Sequence, residues 1–135
     1  MIDTSRRPVP HPTALTVPFW EGCKRRVLTV QRCEDCGNHV FIPQSFCPVC
    51  LGADLSWVES GGVGSVVSYS VIWRAQTPAF EAPYVVAIVR VDEGYEMLSN
   101  IVDADPSEVS IGARVRVKFV DIDSQTTLPC FRLTR

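Results

Sequence analysis

No stretch of the 135-residue sequence approaches the roughly 18 to 20 uninterrupted apolar residues of a membrane-spanning helix, and residues 1–11 carry Pro and Arg in place of a secretory apolar run. A cytoplasmic address without membrane contact is the expectation. Internal repeats and low-complexity segments are missing. So is an excess of charge: 13 Lys and Arg stand against 15 Asp and Glu, a formal net charge of −2. Such a chain is a poor nucleic-acid binder, because displacing counterions from phosphates takes a dense positive surface. Only two histidines occur, His11 and His39, neither in a recognisable partner pattern. Ser, Asp and Glu fall in no catalytic spacing, so the residues alone do not describe an enzyme.

Cysteine is what the sequence does have. Four of its six cysteines form two CxxC pairs, Cys33 with Cys36 and Cys47 with Cys50, separated by ten residues. Each CxxC turn aims two sulfurs at one point, and a ten-residue excursion can double back to complete a tetrahedron with Zn–S distances of about 2.3 Å. Gly37 and Gly52 supply backbone freedom beside the pairs. A disulfide framework is disfavoured without a secretory signal. A redox CxxC belongs at a helix start in an α/β setting, whereas Pro43 and Pro48 flank these pairs in short β-like segments. A closed four-sulfur site leaves the metal no open position for water, which makes it structural. Zinc is the expected ion, and iron could occupy the same sulfurs. Ionising the four thiols around one zinc takes the net charge to about −4. Cys23 and Cys130 are read as core filling rather than as nucleophiles, which need a low thiol pKa and an oriented base.

Residues 1–17 alternate Pro, Arg and small polar residues without periodicity and are read as a flexible N-terminal arm. Pro18 early, Glu21, and then Lys24, Arg25 and Arg26 late predict a short helix over about 17–27. With the two knuckles it makes a unit over 18–54. From residue 55 to 135 the hydrophobic period is two, and five main strands are predicted over 62–73, 84–91, 95–102, 113–122 and 128–133. In the first, Val63, Val67, Tyr69, Val71 and Trp73 are expected on one face. The second is apolar on both faces and read as central. Asp92, Glu93 and Gly94 form a tight hairpin connection, and Asp105-Pro106-Ser107-Glu108 should start one helical turn. Five strands with one short helix between the third and fourth match an OB-type barrel, with a small open sandwich as the alternative. Arg114, Arg116 and Lys118 alternate with Val115, Val117 and Phe119, giving a short basic row, read as a solvated face or an anion contact.

The succession Pro18-Phe19-Trp20-Glu21-Gly22, the run 28–37 with the first knuckle, and Phe46-Cys47-Pro48-Val49-Cys50 resemble the rubredoxin-like zinc ribbon of the DUF35, or acyl-CoA-associated, OB-fold proteins. Gly61-Gly62-Val63-Gly64, Pro83-Tyr84-Val85-Val86-Ala87, Ser99-Asn100-Ile101-Val102 and Thr127-Leu128-Pro129-Cys130-Phe131 continue the likeness, over about 17–133. Leu51 departs from it, standing where a glycine often follows the second knuckle, and Cys23 occupies a variable helix position. The resemblance implies a mostly β protein: N-terminal helix and zinc ribbon, then a five-stranded OB-fold barrel. It also implies a noncatalytic companion of thiolase-superfamily enzymes, including lipid-transfer-type aldolases, or of acyl-CoA hydratases, in a hetero-oligomer with structural zinc and a CoA ester as ligand.

Beside that resemblance, Phe19, Trp20, Lys24, Arg25 and Arg26 form an aromatic and basic cluster suited to adenine stacking and phosphate pairing. An equal reading has Phe19, Trp20, Cys23 and Val27 packing the helix while the cations serve its C-terminus. Trp73, Arg74 and Phe80 mark a loop after the first barrel strand, read either as edge packing or as partner docking. A nucleic-acid-binding ribbon and barrel module is the alternative of a different class.

Overall fold

The structure, a computed structural model, describes residues 6–134; the first five residues of the expected N-terminal arm lie outside them. The arm leads into α1 (Val17–Lys24) through a turn at Thr13–Thr16, where Val17 N–H donates to Thr13 O at 2.9 Å. Pro18 sits in the first turn, as its fixed φ and missing N–H favour. The helix ends three residues earlier than the sequence suggests. Arg26 adopts φ +64, its N–H donates to Cys23 O, and Val27 N–H donates to Gly22 O, the paired bonds that close a helix C-terminus. Gly22 is required here: a Cβ would stand 2.8 Å from Val27 O and 3.0 Å from the Thr29 side chain. The returning chain therefore lies tight on the helix.

It continues as β1 (Leu28–Cys33), which pairs antiparallel with β2 (His39–Val40) on one side and β3 (Leu55–Ser60) on the other. β3, grouped with the barrel in the sequence reading, pairs along its whole length with β1 from Leu28↔Ser60 to Cys33↔Leu55. Alternation marks it as a strand but carries no information about its partner, so the assignment needed the tertiary fold.

β4 (Val63–Ile72), β5 (Tyr84–Val91), β6 (Glu96–Val102), β7 (Arg114–Asp121) and β8 (Thr127–Leu133) close a barrel in the order β4-β5-β6-β8-β7. This is the expected five-stranded OB-type architecture, with β6 and β8 parallel and the other barrel pairs antiparallel. Asp105 caps a 3₁₀ turn at Pro106–Glu108, and its side chain accepts from Ser107 N–H at 2.9 Å. One expectation fails in β4. A bulge between Val66 and Ser68 breaks the alternation, so Val66, opposite Val89, shares the core-facing side with Tyr69, opposite Ala87, and Val71, opposite Val85, in place of Val67; Tyr69, and Trp73 beyond the strand, are exposed. β5 is likewise asymmetric: Val85, Ala87, Val89 and Val91 are buried, but Ile88 on its outer face is exposed. Gly64 lets β4 and β5 close, since a Cβ there would lie 2.3 Å from the Arg90 carbonyl oxygen.

One continuous core joins the two sheets. Phe19, Cys23, Leu28 and Val30 pack in the same cluster as Val66, Val89, Met97, Val115 and Phe131. The metal-bearing end has only a small cluster of its own, Cys33, Val40 and Cys47, with Leu55 against it. Among the described residues no helix is long and apolar enough to cross a membrane.

Candidate metal centre and the helix–barrel groove

The two knuckles are built alike. β1 delivers Cys33, and Gly37 N–H donates back to Cys33 O at 2.8 Å with Gly37 at φ +78. In the second, Leu51 N–H donates to Cys47 O at 2.8 Å, with Leu51 at φ +63. Leu51 thus holds the position that glycine holds in the first. The intervening loop is pinned to β1: Gln44 N–H donates to Gln31 Oε1 at 2.8 Å, and Gln31 Nε2 donates to Gln44 O at 3.0 Å.

The four sulfurs of Cys33, Cys36, Cys47 and Cys50 lie within 4.8 Å of one another. Cys33 Sγ is 3.5 Å from Cys50 Sγ, and Cys36 Sγ is 3.6 Å from Cys47 Sγ. A tetrahedron with Zn–S of about 2.3 Å has edges of about 3.8 Å, so the donor set fits one zinc ion. Backbone N–H groups of Cys50, and then of Val49, favour the Cys47 thiolate and bring its thiol down to about 7. Cys33 and Cys47 are buried and Cys36 and Cys50 exposed. All four positions are taken by protein, so zinc here serves the fold.

The aromatic and basic residues in and just after α1 have different surroundings. Phe19 is buried, edge-on to Trp20 with ring centroids 5.0 Å apart and 5.6 Å from Phe41. Arg26 is engaged across the molecule, Nη1 donating to Asp121 Oδ1 at 2.9 Å and Nη2 to Oδ2 at 2.7 Å. Thr127 Oγ1 donates to the same carboxylate at 2.6 Å. With Arg26 as the chief cause and Thr127 next, the Asp121 carboxyl falls to about 2. Lys24 and Arg25 are exposed, and Trp20 is half-buried at the mouth of a groove of about 260 Å³. Phe41, Leu98, Ser99, Leu128 and Pro129 line the groove with it, between α1 and the β6–β8 seam.

Of the loop candidates, Trp73 is 72% exposed and Arg74 is exposed, whereas Phe80 stacks on Tyr84 at 5.9 Å and lies under Arg7 at 5.1 Å. In the basic row, Arg114 makes a bidentate pair with Asp92 (2.9 and 2.7 Å) and Lys118 pairs with Asp103. Cys23 is fully buried, and desolvation pushes its thiol up to about 12; burial raises Cys130 too. Neither is poised as a nucleophile. Two contacts were invisible in the sequence, the Arg26–Asp121 clamp and a chain in which Tyr95 OH donates to Ser60 Oγ at 2.7 Å and Ser60 donates to Glu93. Their partners are 95, 35 and 33 residues apart, and no local pattern marks such pairs.

The family model described as "ChsH2, rubredoxin-like zinc ribbon domain" matches residues 20–56, and "ChsH2, C-terminal OB-fold domain" matches residues 57–120. A "Probable enoyl-CoA hydratase alpha subunit" of Thermomonospora curvata is 41% identical over 115 residues, 84% of this chain. The chain spans about a third of that protein's length, 36%. A "DUF35 domain-containing scaffold protein" of Methanothermobacter thermautotrophicus is 41% identical over 108 residues, 77% of this chain and 80% of that one. Among solved structures, a chain of the "Ltp2-ChsH2(DUF35) aldolase" superposes with a TM-score of 0.85 at 37% identity, over 92% of this chain and 98% of that one. A four-sulfur ribbon fused through one core to a five-stranded barrel, matched over most of its length by these relatives, places the chain in the DUF35 family, to which it belongs as a ChsH2-type zinc-ribbon and OB-fold member.

Proposed function

We propose that this protein is a noncatalytic accessory subunit of an acyl-CoA enzyme of the thiolase superfamily, a thiolase or a lipid-transfer-type aldolase, docking on it through the OB barrel. The observation that carries this reading is the near end-to-end likeness to the DUF35 chain of an aldolase assembly. The chain's own chemistry supports it: the thiols outside the metal centre are buried with raised pKa, and the four others are arranged for an ion. In this reading the groove beside Trp20 receives the apolar arm of a CoA ester, and Lys24 and Arg25 stand near enough in sequence to meet its phosphates. The hydratase name of the Thermomonospora relative favours a hydratase catalytic subunit as the second reading.

The test is co-expression with the thiolase-superfamily enzyme encoded beside the gene. A hetero-oligomer on gel filtration, and activity of that enzyme only within it, are expected. Separate elution with full activity of the enzyme alone would count against the accessory role, and a complex formed instead with a neighbouring hydratase subunit would select the second reading.

A further inference from the structure

The second knuckle carries more apolar surface than a metal site needs. Phe46, Val49 and Leu51 are 57%, 69% and 76% exposed, although each lies one residue from a metal-ligating cysteine. They fall within six consecutive residues, in a turn where Leu51 N–H and Cys47 N–H donate to Cys47 O and Gly52 O at 2.8 Å. The first knuckle performs the same folding task with Glu34 and Asp35 between its cysteines and glycine at the fifth position. Nothing in zinc ligation therefore calls for this apolar collar.

Leu51 makes the point most sharply. At φ +63 a side chain with a Cβ is strained, glycine is not, and the equivalent Gly37 shows what the turn prefers. Within this chain leucine gains no compensating burial, since its side chain faces solvent. A residue that costs stability and packs on nothing internal is explained by packing on something external.

The charges around the collar select the occupant. Asp35 lies against the knuckle, for a Cβ on Gly52 would stand 2.4 Å from its Oδ2. Glu34 and Asp54 are exposed nearby in sequence, with Arg32 the one cation on this end of β1. Two copies meeting collar to collar would bring like carboxylates together, and an anionic membrane would be repelled. We propose that Phe46, Val49 and Leu51 form a second docking point on the catalytic subunit, inserting into an apolar recess rimmed by Lys or Arg. This inference rests on the accessory-subunit reading and adds a contact at the ribbon to the one through the barrel.

The experiment compares wild type, Leu51→Gly and Val49→Ser/Leu51→Gly, each zinc-loaded, for binding to the purified thiolase-superfamily enzyme encoded beside the gene, with sedimentation of each chain alone. Leu51→Gly relieves the backbone and should hold zinc against a chelator at least as well as wild type, about fivefold better. Partner affinity should nevertheless fall several-fold in the single variant and tenfold or more in the double. Affinity within threefold of wild type in the double variant would overturn the collar while leaving the accessory role intact. Failure of the wild-type chain to bind at all would overturn both. A wild-type homodimer that the double variant dissolves would assign the collar to a second copy and overturn the proposal equally.

Discussion

Breaking the metal site should open one end of the molecule and leave the rest folded. In Cys47→Ala a buried ligand is lost from a segment whose own apolar cluster is small. Beyond its cysteines that cluster holds Val40, fully buried, and Leu55, half-buried. At roughly 1.5 to 3 kcal/mol per fully buried side chain they contribute about 2 to 4 kcal/mol. Structural zinc contributes about 10 to 16 kcal/mol in small ribbons, several times more, so residues 34–54 cannot hold their fold without it. The opening should stop there. Leu28 and Val30 of β1, with Trp57 and Val58 of β3, belong to the main cluster and do not depend on the ion. Hydrogen exchange read by mass spectrometry should show peptides within 34–54 losing most protection, while peptides from 84–102 and 127–133 change by less than about tenfold. Simultaneous loss across the barrel would refute the separation of the two clusters. Full protection of 34–54 in a metal-free variant would refute the dependence on zinc.

Three further outcomes follow from single contacts. The Asp121 carboxyl, held at about 2 by Arg26 and Thr127 against an ordinary value near 3.9, contributes stability that is present above about pH 4 and lost as pH falls through about 2; in Arg26→Ala its NMR titration midpoint should rise toward the ordinary value, and an unmoved midpoint would deny Arg26 that role. Gly64→Ala forces a Cβ to within 2.3 Å of a backbone oxygen on β5 and should cost about 2 to 4 kcal/mol in urea unfolding, whereas a change under about 0.5 kcal/mol would show that the strand pair yields freely. Cys23, with its thiol near 12, should resist iodoacetamide at neutral pH in the folded, zinc-loaded protein; rapid modification would restore it as a candidate nucleophile.

The parts legible in the sequence are those whose cause is local. Two sulfurs three residues apart must converge whatever surrounds them, so the metal centre could be read directly from Cys33, Cys36, Cys47 and Cys50. The same holds for the Asp105 cap, the Asp92–Gly94 hairpin connection and the alternation that buries Val115 while exposing Arg114 and Arg116. Alternation, with turn residues between the apolar runs, also counted the barrel strands correctly.

What depends on distant neighbours was not written locally. β3 alternates like a barrel strand and became the partner of β1 only through pairing. The Val66–Ser68 bulge, which brings Val66 onto the same face as Tyr69 and Val71, answers to the register with β5. Arg26 reads as a helical cation, yet it sits at φ +64 with its guanidinium on Asp121, 95 residues away, and Phe19, read equally as a ligand-stacking ring or as helix packing, lies in the shared core. By itself the sequence determined the metal site, the strand count and the family likeness, since spacing and period are properties of a few adjacent residues. Only the tertiary structure decided which aromatics and cations remain free to meet a partner, because burial and ion pairing are settled by chain segments that no local pattern brings together.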